Sequence, residues 1–392
     1  MTNHLEFLKD VLQDMKDQNL YSELPIFEGK QGPRVKMKGK EVVTLSTNSY
    51  LNLTNHPRVI KAAKEAMDKY GFGTGAVRQI AGTMPIHMEL EEKLAKYKGT
   101  EAALIYVAGI AANRGTIQAL MEKDDVIISD ELNHGSIIDG VRLTKSDRKI
   151  YPHKDMDGLE AALKESKDYK KRLVVTDGVF SMDGDTAPLD KITELTEQYD
   201  AILMVDDAHG DGVMGPEGRG TAHYYGVADK LDIDMGTLSK AFGGLGGYIA
   251  GVQEMKDYMT NRARSFIFTT SHPPAVVAAN MEVIDIVQDE PEHLKNLWDN
   301  TKYFKKQLVD LGFNTGNSES PITPVIVGKS ETAKELSMKM FEEDVFVKPI
   351  VYPLVSKDTA RVRTIMSAGH TREDLDFCIE KFEKVGKEMK LI

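Results

Sequence analysis

Cysteine is almost absent: Cys378 is the only one in 392 residues, so no intrachain disulfide and no cysteine-built metal cluster can form, and a reducing cytoplasm is the expected setting. No other metal site is assigned either. A surplus of positive charge is also lacking. Fifty lysines and arginines face 61 aspartates and glutamates, a net charge of −11, which argues against nucleic acid or an anionic membrane as a partner. Any anionic ligand must then be met by a local site. No apolar run approaches the length of a membrane span. The opening residues, MTNHLEFLKDVLQDMKDQ, carry acids throughout and no uninterrupted apolar stretch, so they are not read as a secretory signal. No internal repeat and no low-complexity segment is found.

What is present is the composition of an ordinary globular chain, 41% hydrophobic and 28% charged, long enough for two or three lobes. Leu5, Leu8, Leu12 and Met15 recur at helical spacing, predicting an amphipathic N-terminal helix that must dock on something, followed by an arm from Tyr21 to Lys40. From there short β-rich runs alternate with helical patterns: AALIY, DVIIS, RLVVTDG, AILMVDD and DIDMGTL. That alternation predicts an α/β fold with a mainly parallel sheet between helices. The expected organisation is a helix and arm over 1–47, a large domain over 48–282 and a smaller α+β domain over 283–392.

Gly210, Gly212 and Gly215 spell G-x-G-x-x-G after an apolar run, a superficial nucleotide-binding fingerprint. In that fingerprint the last glycine opens a helix whose N-terminus seats a pyrophosphate, whereas here PEGRGTAH follows. A nicotinamide-dependent dehydrogenase is therefore disfavoured. GFGTGA at 71–76 fails similarly, because it follows a helical pattern and not a strand.

Ligands in open parallel sheets bind beyond the carboxyl ends of the strands, and the polar residues predicted there are chemically related. His134 follows the second run, Ser181 the third, Asp206 and His209 the fourth, and Thr237, Ser239 and Lys240 the fifth. Singly, each reads as a turn former, a helix cap or a structural imidazole. Together they meet the needs of pyridoxal phosphate: an amine for its aldehyde, a carboxylate for its ring nitrogen, and N–H groups and hydroxyls for its phosphate. Lys240, set in GTLSKAFGGLGG among small residues, is the expected amine. Asp206 is expected at the ring nitrogen and His209 near the phenolic oxygen. In ALIYVAGIAANRG a glycine turn joins a strand to a helix, so Gly109 and Ile110 offer N–H groups at a positive helix end.

The motifs TNSYLNL, VRQIAGT, DELNHGSIIDG, TDGVFSMDGD, VDDAHG, GTLSKAFGGLGG, FIFTTSHPP and RVRTIMSAGHT, in this order over nearly the whole chain, resemble the α-oxoamine synthases. These are pyridoxal-phosphate enzymes of fold type I that condense an amino acid with an acyl-CoA. The resemblance implies a Schiff base on Lys240, Asp206 at the ring nitrogen, His209 and Ser181 around the ring oxygen, and His134 stacked on the ring. It implies a phosphate held by Thr237, Gly109 and Ile110, joined by Thr269 or Thr270 of a second subunit, hence a homodimer. Asn48 and Arg363, with Ser181 nearby, would take the amino-acid carboxylate, a bidentate partner for a guanidinium. Ser49, Asn52, Ile110 and Gly135 depart from the family's usual residues where the acyl and amino-acid pockets would be shaped.

Within the family, LKDVLQDMKDQNLY and ISDELNHGSIIDGVRLTK resemble the glycine C-acetyltransferase branch. The expectation is therefore condensation of glycine with acetyl-CoA to 2-amino-3-oxobutyrate in threonine catabolism, with a functional link to threonine dehydrogenase. The alternatives are the 8-amino-7-oxononanoate synthase branch, using alanine and pimeloyl-CoA, and the 5-aminolevulinate synthase branch, using glycine and succinyl-CoA.

Overall fold

All five runs that alternate with helical patterns enter a single sheet. The computed structural model describes residues 4–17 and 20–392. In chain order its strands are β1 (Arg34–Met37), β2 (Lys40–Thr44), β3 (Ala102–Tyr106), β4 (Val126–Asp130), β5 (Asp147–Tyr151), β6 (Arg172–Asp177) and β7 (Ile202–Asp206). They continue with β8 (Ile233–Thr237), β9 (Gly247–Gly251), β10 (Ile322–Gly328), β11 (Val345–Phe346), β12 (Lys348–Ile350) and β13 (Ala360–Ile365). Seven of them form the central sheet, ordered β3-β9-β8-β7-β6-β4-β5. All neighbours in it pair in parallel except at β9, which runs antiparallel to both β3 and β8.

Apolar residues run continuously through the inner strands because helices cover both faces. In β7, Leu203 and Val205 join one core while Met204 between them joins the core on the opposite face, the two-residue period of a pleated strand. The connections after β3 and β4 turn at once into the helices Gly109–Leu120 and Gly135–Arg142. Their N-termini therefore gather at the carboxyl edge of the sheet.

Towards the C-terminus, β10, β13 and β12 form a small antiparallel sheet on which Arg363 lies in β13. The N-terminal arm is less free than its sequence suggests. β1 and β2 form a hairpin, β11 adds to β2 in parallel, and Val35, Met37 and Val42 are buried there. The predicted first helix is present as Leu8–Asp17 with no buried residue, and Leu8, Val11 and Leu12 face solvent. Among the described residues, no helix is long and apolar enough to cross a membrane.

Candidate active site

The carboxyl edge of the sheet encloses a cavity of about 160 Å³ between β7, β8 and the two helix N-termini. Lys240, Asp206, His209, His134, Thr237, Gly109 and Ile110, all expected from the sequence, line it together. Asp206 closes β7, and both its oxygens are engaged. Asn113 Nδ2 donates to Oδ2 at 2.6 Å and the Ala208 N–H to Oδ1 at 3.0 Å, so the carboxylate is oriented by groups on two elements. His134 caps the helix Gly135–Arg142, its Nδ1 accepting from the Ser136 N–H at 3.2 Å, while its own N–H donates to Asp177 Oδ2 at 3.1 Å. Thr237 Oγ1 donates to the Gly246 carbonyl at 2.8 Å and shares a 2.8 Å bond with Ser239 Oγ. At Gly109 a Cβ would meet Met235 Cε at 3.1 Å, and at Gly247 it would collide with the Gly109 backbone. Glycine is thus required for the sheet and the helix start to approach.

Burial shifts Lys240, His209, His134 and Asp177 each away from its charged form. Desolvation lowers the Lys240 amine, with Arg363 adding to the effect against Asp206 and Asp177, which oppose it. Lys240 makes no ion pair among the described residues. The His209 ring is driven well below its ordinary value by burial and by the nearby Lys240 and Arg363 charges, and it shares a 2.8 Å hydrogen bond with the Tyr50 hydroxyl. Burial also lowers His134. Asp177 is pushed the other way, well above its ordinary value, by burial and by the Asp206 charge.

A second group of expected residues meets beside the cavity. Arg363 Nη1 donates to the Ser181 carbonyl at 3.0 Å and Nη2 to Asn48 Oδ1 at 3.4 Å. Ser181 thus presents its carbonyl to the guanidinium. No carboxylate of the chain pairs with Arg363 among the described residues, and burial lowers its pKa. Thr269 and Thr270 are not brought to this cavity. Thr269 Oγ1 donates to the Ser265 carbonyl at 2.6 Å, and Thr270 bridges to Val77.

Three participants lie outside the sequence-based set: Asn113, Tyr50 and Asp177. Tyr50 and Asp177 stand inside quoted motifs, and Asn113 sits one helical turn beyond Gly109. That spacing is the signal that would have found it. The glycine fingerprint does not form a nucleotide seat: Gly215 leads into a single tight turn over Pro216–Gly218. The residues present do fit pyridoxal phosphate. An amine lacks a counter-ion, Asp206 has a fixed carboxylate, and the helix at Gly109 presents N–H groups that have no intrahelical acceptors.

The sequence matches the family described as "Aminotransferase class I and II" over residues 40–382. The chain belongs to the class I and II aminotransferase family. Two relatives narrow the place within it. An 8-amino-7-oxononanoate synthase of Thermoanaerobacter pseudethanolicus is 54% identical over 99% of this chain and 98% of its own length. The 8-amino-7-oxononanoate synthase 1 of Bacillus velezensis is 52% identical over 99% of each. Among solved structures, a serine palmitoyltransferase from S. paucimobilis with bound PLP and myriocin superimposes with a TM-score of 0.94 at 29% identity over 100% of both chains. The α-oxoamine synthase resemblance, the fold type I architecture and the expected cofactor, pyridoxal phosphate, all agree with these findings.

The branch expectation does not. Glycine C-acetyltransferase, with glycine and acetyl-CoA as substrates, a place in threonine catabolism and a link to threonine dehydrogenase, is overturned by full-length relatives above 50% identity that are 8-amino-7-oxononanoate synthases. The physical reason is visible in the structure. LKDVLQDMKDQNLY carries the exposed helix Leu8–Asp17, and ISDELNHGSIIDG carries the His134 cap beside the cofactor cavity. Neither an exposed helix nor a cap beside the cofactor cavity distinguishes one acyl substrate from another, so these segments do not select the branch.

Proposed function

We propose that the chain condenses alanine with pimeloyl-CoA to give 8-amino-7-oxononanoate, coenzyme A and carbon dioxide. The product holds one carbon fewer than alanine and the pimeloyl group combined, so the thioester bond breaks to release coenzyme A and the alanine carboxyl leaves as carbon dioxide. The observation that carries the reading is the full-length identity to 8-amino-7-oxononanoate synthases. The cavity supports it through an unpaired lysine amine, a fixed carboxylate and a buried arginine without an acidic partner.

Pyridoxal phosphate, when bound, supplies an aldehyde that couples to amines and a protonated ring that draws electrons from the amino-acid Cα. Asp206 would keep the ring nitrogen protonated, and the bonds from Asn113 and Ala208 fix its two oxygens beforehand. Thr237 and the N–H groups at Gly109 and Ile110 would hold the phosphate at the positive end of the helix. His134 would cover one ring face, and His209, steadied by Tyr50, would meet the ring oxygen. Arg363 and Asn48 bind the alanine carboxylate. The Lys240 amine, uncharged more readily than an ordinary lysine, takes the Cα proton as general base.

A homodimer belongs to the same reading. Phe72, Ile80 and Phe268 are exposed beside the Val77–Thr270 bridge, and the helix Leu8–Asp17 bares an apolar edge. A second copy that covers this region would bring Thr269 or Thr270 to its neighbour's phosphate.

The test is thiol release by the cofactor-loaded protein with three pairs: alanine and pimeloyl-CoA, glycine and acetyl-CoA, and glycine and succinyl-CoA. Carboxyl-labelled alanine is included to follow carbon dioxide. The reading requires fast thiol release matched by labelled carbon dioxide in the first pair. Preference for either other pair overturns it.

A further inference from the structure

On the side of the molecule where the helix Pro57–Tyr70 begins, two imidazoles and a carboxylate meet, drawn from three separate elements. His56 is the N-cap of that helix, Glu290 follows the helix Pro274–Asp289, and His293 lies in the first turn of the helix Glu292–Asp310. His56 Nε2 is 3.5 Å from Glu290 Oε2, and His293 Nε2 is 3.4 Å from the same oxygen. One ligand-type atom from each residue falls within 4.8 Å of the other two.

These separations resemble those around a metal. With bonds of about 2.0–2.1 Å, a tetrahedral zinc ion sets its ligand atoms about 3.4 Å apart. Two edges of the triangle already have that length. The third closes by a small turn of either imidazole, whose ring torsion is soft. The Nδ1 of His56 is buried without a partner, so Nε2 is the nitrogen presented to the carboxylate. The three side chains are 19%, 25% and 23% exposed for His56, Glu290 and His293, open to solution on one side.

The surrounding charge points the same way. Arg58 Nη1 donates to Glu290 Oε1 at 2.7 Å, which leaves Oε2 facing the imidazoles, as an outer partner orients a ligating carboxylate. The same guanidinium also bonds Glu282 at 2.6 Å and Asp289 at 3.3 Å. Three carboxylates share one guanidinium, so the cluster carries two uncompensated negative charges while the histidines are neutral. A divalent cation cancels them. Imidazole nitrogens with a carboxylate oxygen suit zinc and its first-row neighbours better than magnesium or calcium, which take oxygen ligands.

We propose that His56, Glu290 and His293 form a binding site for a divalent transition metal of the zinc class, with water completing the coordination. The site is separate from the cofactor cavity. It fastens the start of the helix that follows the Asn48–Leu53 segment, which carries Asn48 and Tyr50, to the corner between the helices Pro274–Asp289 and Glu292–Asp310. The inference does not rest on the proposed substrates.

The experiment uses the full-length, cofactor-loaded protein, stripped with chelator and titrated with cobalt(II) chloride. The expected result is a set of visible ligand-field bands that saturate near one equivalent and are displaced by zinc chloride. His56→Gln and His293→Gln each abolish the bands while native circular dichroism and cofactor absorbance are kept. Zinc chloride should also raise the thermal midpoint of the wild type and of neither variant. If one histidine variant does not fold, the other and Glu290→Gln read the same loss. Absence of bands in the wild type, or bands that persist in the folded variants, overturns the proposal and leaves the cluster as an ion pair only.

Discussion

Two lysines of this protein are shielded from water, Lys98 fully and Lys240 in part, and their surroundings shift them in opposite directions. Lys98 lies beneath the carboxyl edge of the sheet with its Nζ 2.8 Å from Asp211, 2.9 Å from Asp234 and 3.8 Å from Asp207. It also donates to the Arg219 carbonyl at 2.6 Å. Burial alone would strip its proton, but the three carboxylates overcome that and raise it well above the ordinary lysine value. Lys240 sits above the same edge with no ion pair, and there burial wins and its pKa falls. Burial alone therefore does not make a lysine reactive. What counts is the counter-ion, which one site supplies in excess and the other withholds.

The largest effect is expected at Lys240. Replacement by Ala should lower thiol release with alanine and pimeloyl-CoA by about 10²–10⁴-fold or more, the range of a lost general base, with little change in the unfolding midpoint. At Lys98 the balance should invert. Lys98→Met leaves three buried carboxylates without their cation and should cost about 3–5 kcal/mol of stability in a denaturant titration, while the folded fraction still retains covalent cofactor.

His153 sharpens the same contrast as a second cation held by acids. Burial would lower it, but bonds of 3.0 Å to both Asp130 and Asp185 carry it up to about 9. Its folded value lies above the ordinary 6.5, so its contribution is fully present below that pH and fades as pH rises through about 9. The contribution is on the order of 3 kcal/mol, and His153→Gln should flatten that part of the stability profile. Arg363→Gln removes a charge that helps to lower Lys240 and should raise KM for alanine about 10–100-fold, the worth of a hydrogen bond to a charged group. Tyr50→Phe, which deletes the 2.8 Å partner of His209, should cost about 1 kcal/mol of transition-state stabilisation, read as a several-fold fall in kcat/KM.

The lysine proposed to hold the cofactor is legible in the sequence, and Lys98 with its carboxylates is not. GTLSKAFGGLGG displays Lys240 within a dozen residues, because the small neighbours that admit a ring are contiguous with it. Lys98 is explained only by Asp207, Asp211 and Asp234, which no local pattern links to it. The parallel strands ending in Asp206 and Thr237 were readable from their apolar runs. β9 was not, since GYIAG continues the glycine-rich stretch, and its pairing with β3 and β8 is a tertiary fact. The hairpin of β1 and β2 closes on the two-residue turn Lys38–Gly39, both at positive φ, a local signal, whereas its pairing with β11, about three hundred residues away, is a tertiary fact. His56, Glu290 and His293 stayed hidden for the same reason. The amino acid and the acyl partner were both illegible, because the motifs that stand out in the sequence are those expected at the cofactor, which every branch shares.

The most direct test of the contrast between the two lysines is borohydride reduction of the protein loaded with pyridoxal phosphate, followed by peptide mapping. The expected result is a single pyridoxyl group, on Lys240, with Lys98 unmodified. A label on Lys98, or reduction that leaves Lys240 free, would contradict it.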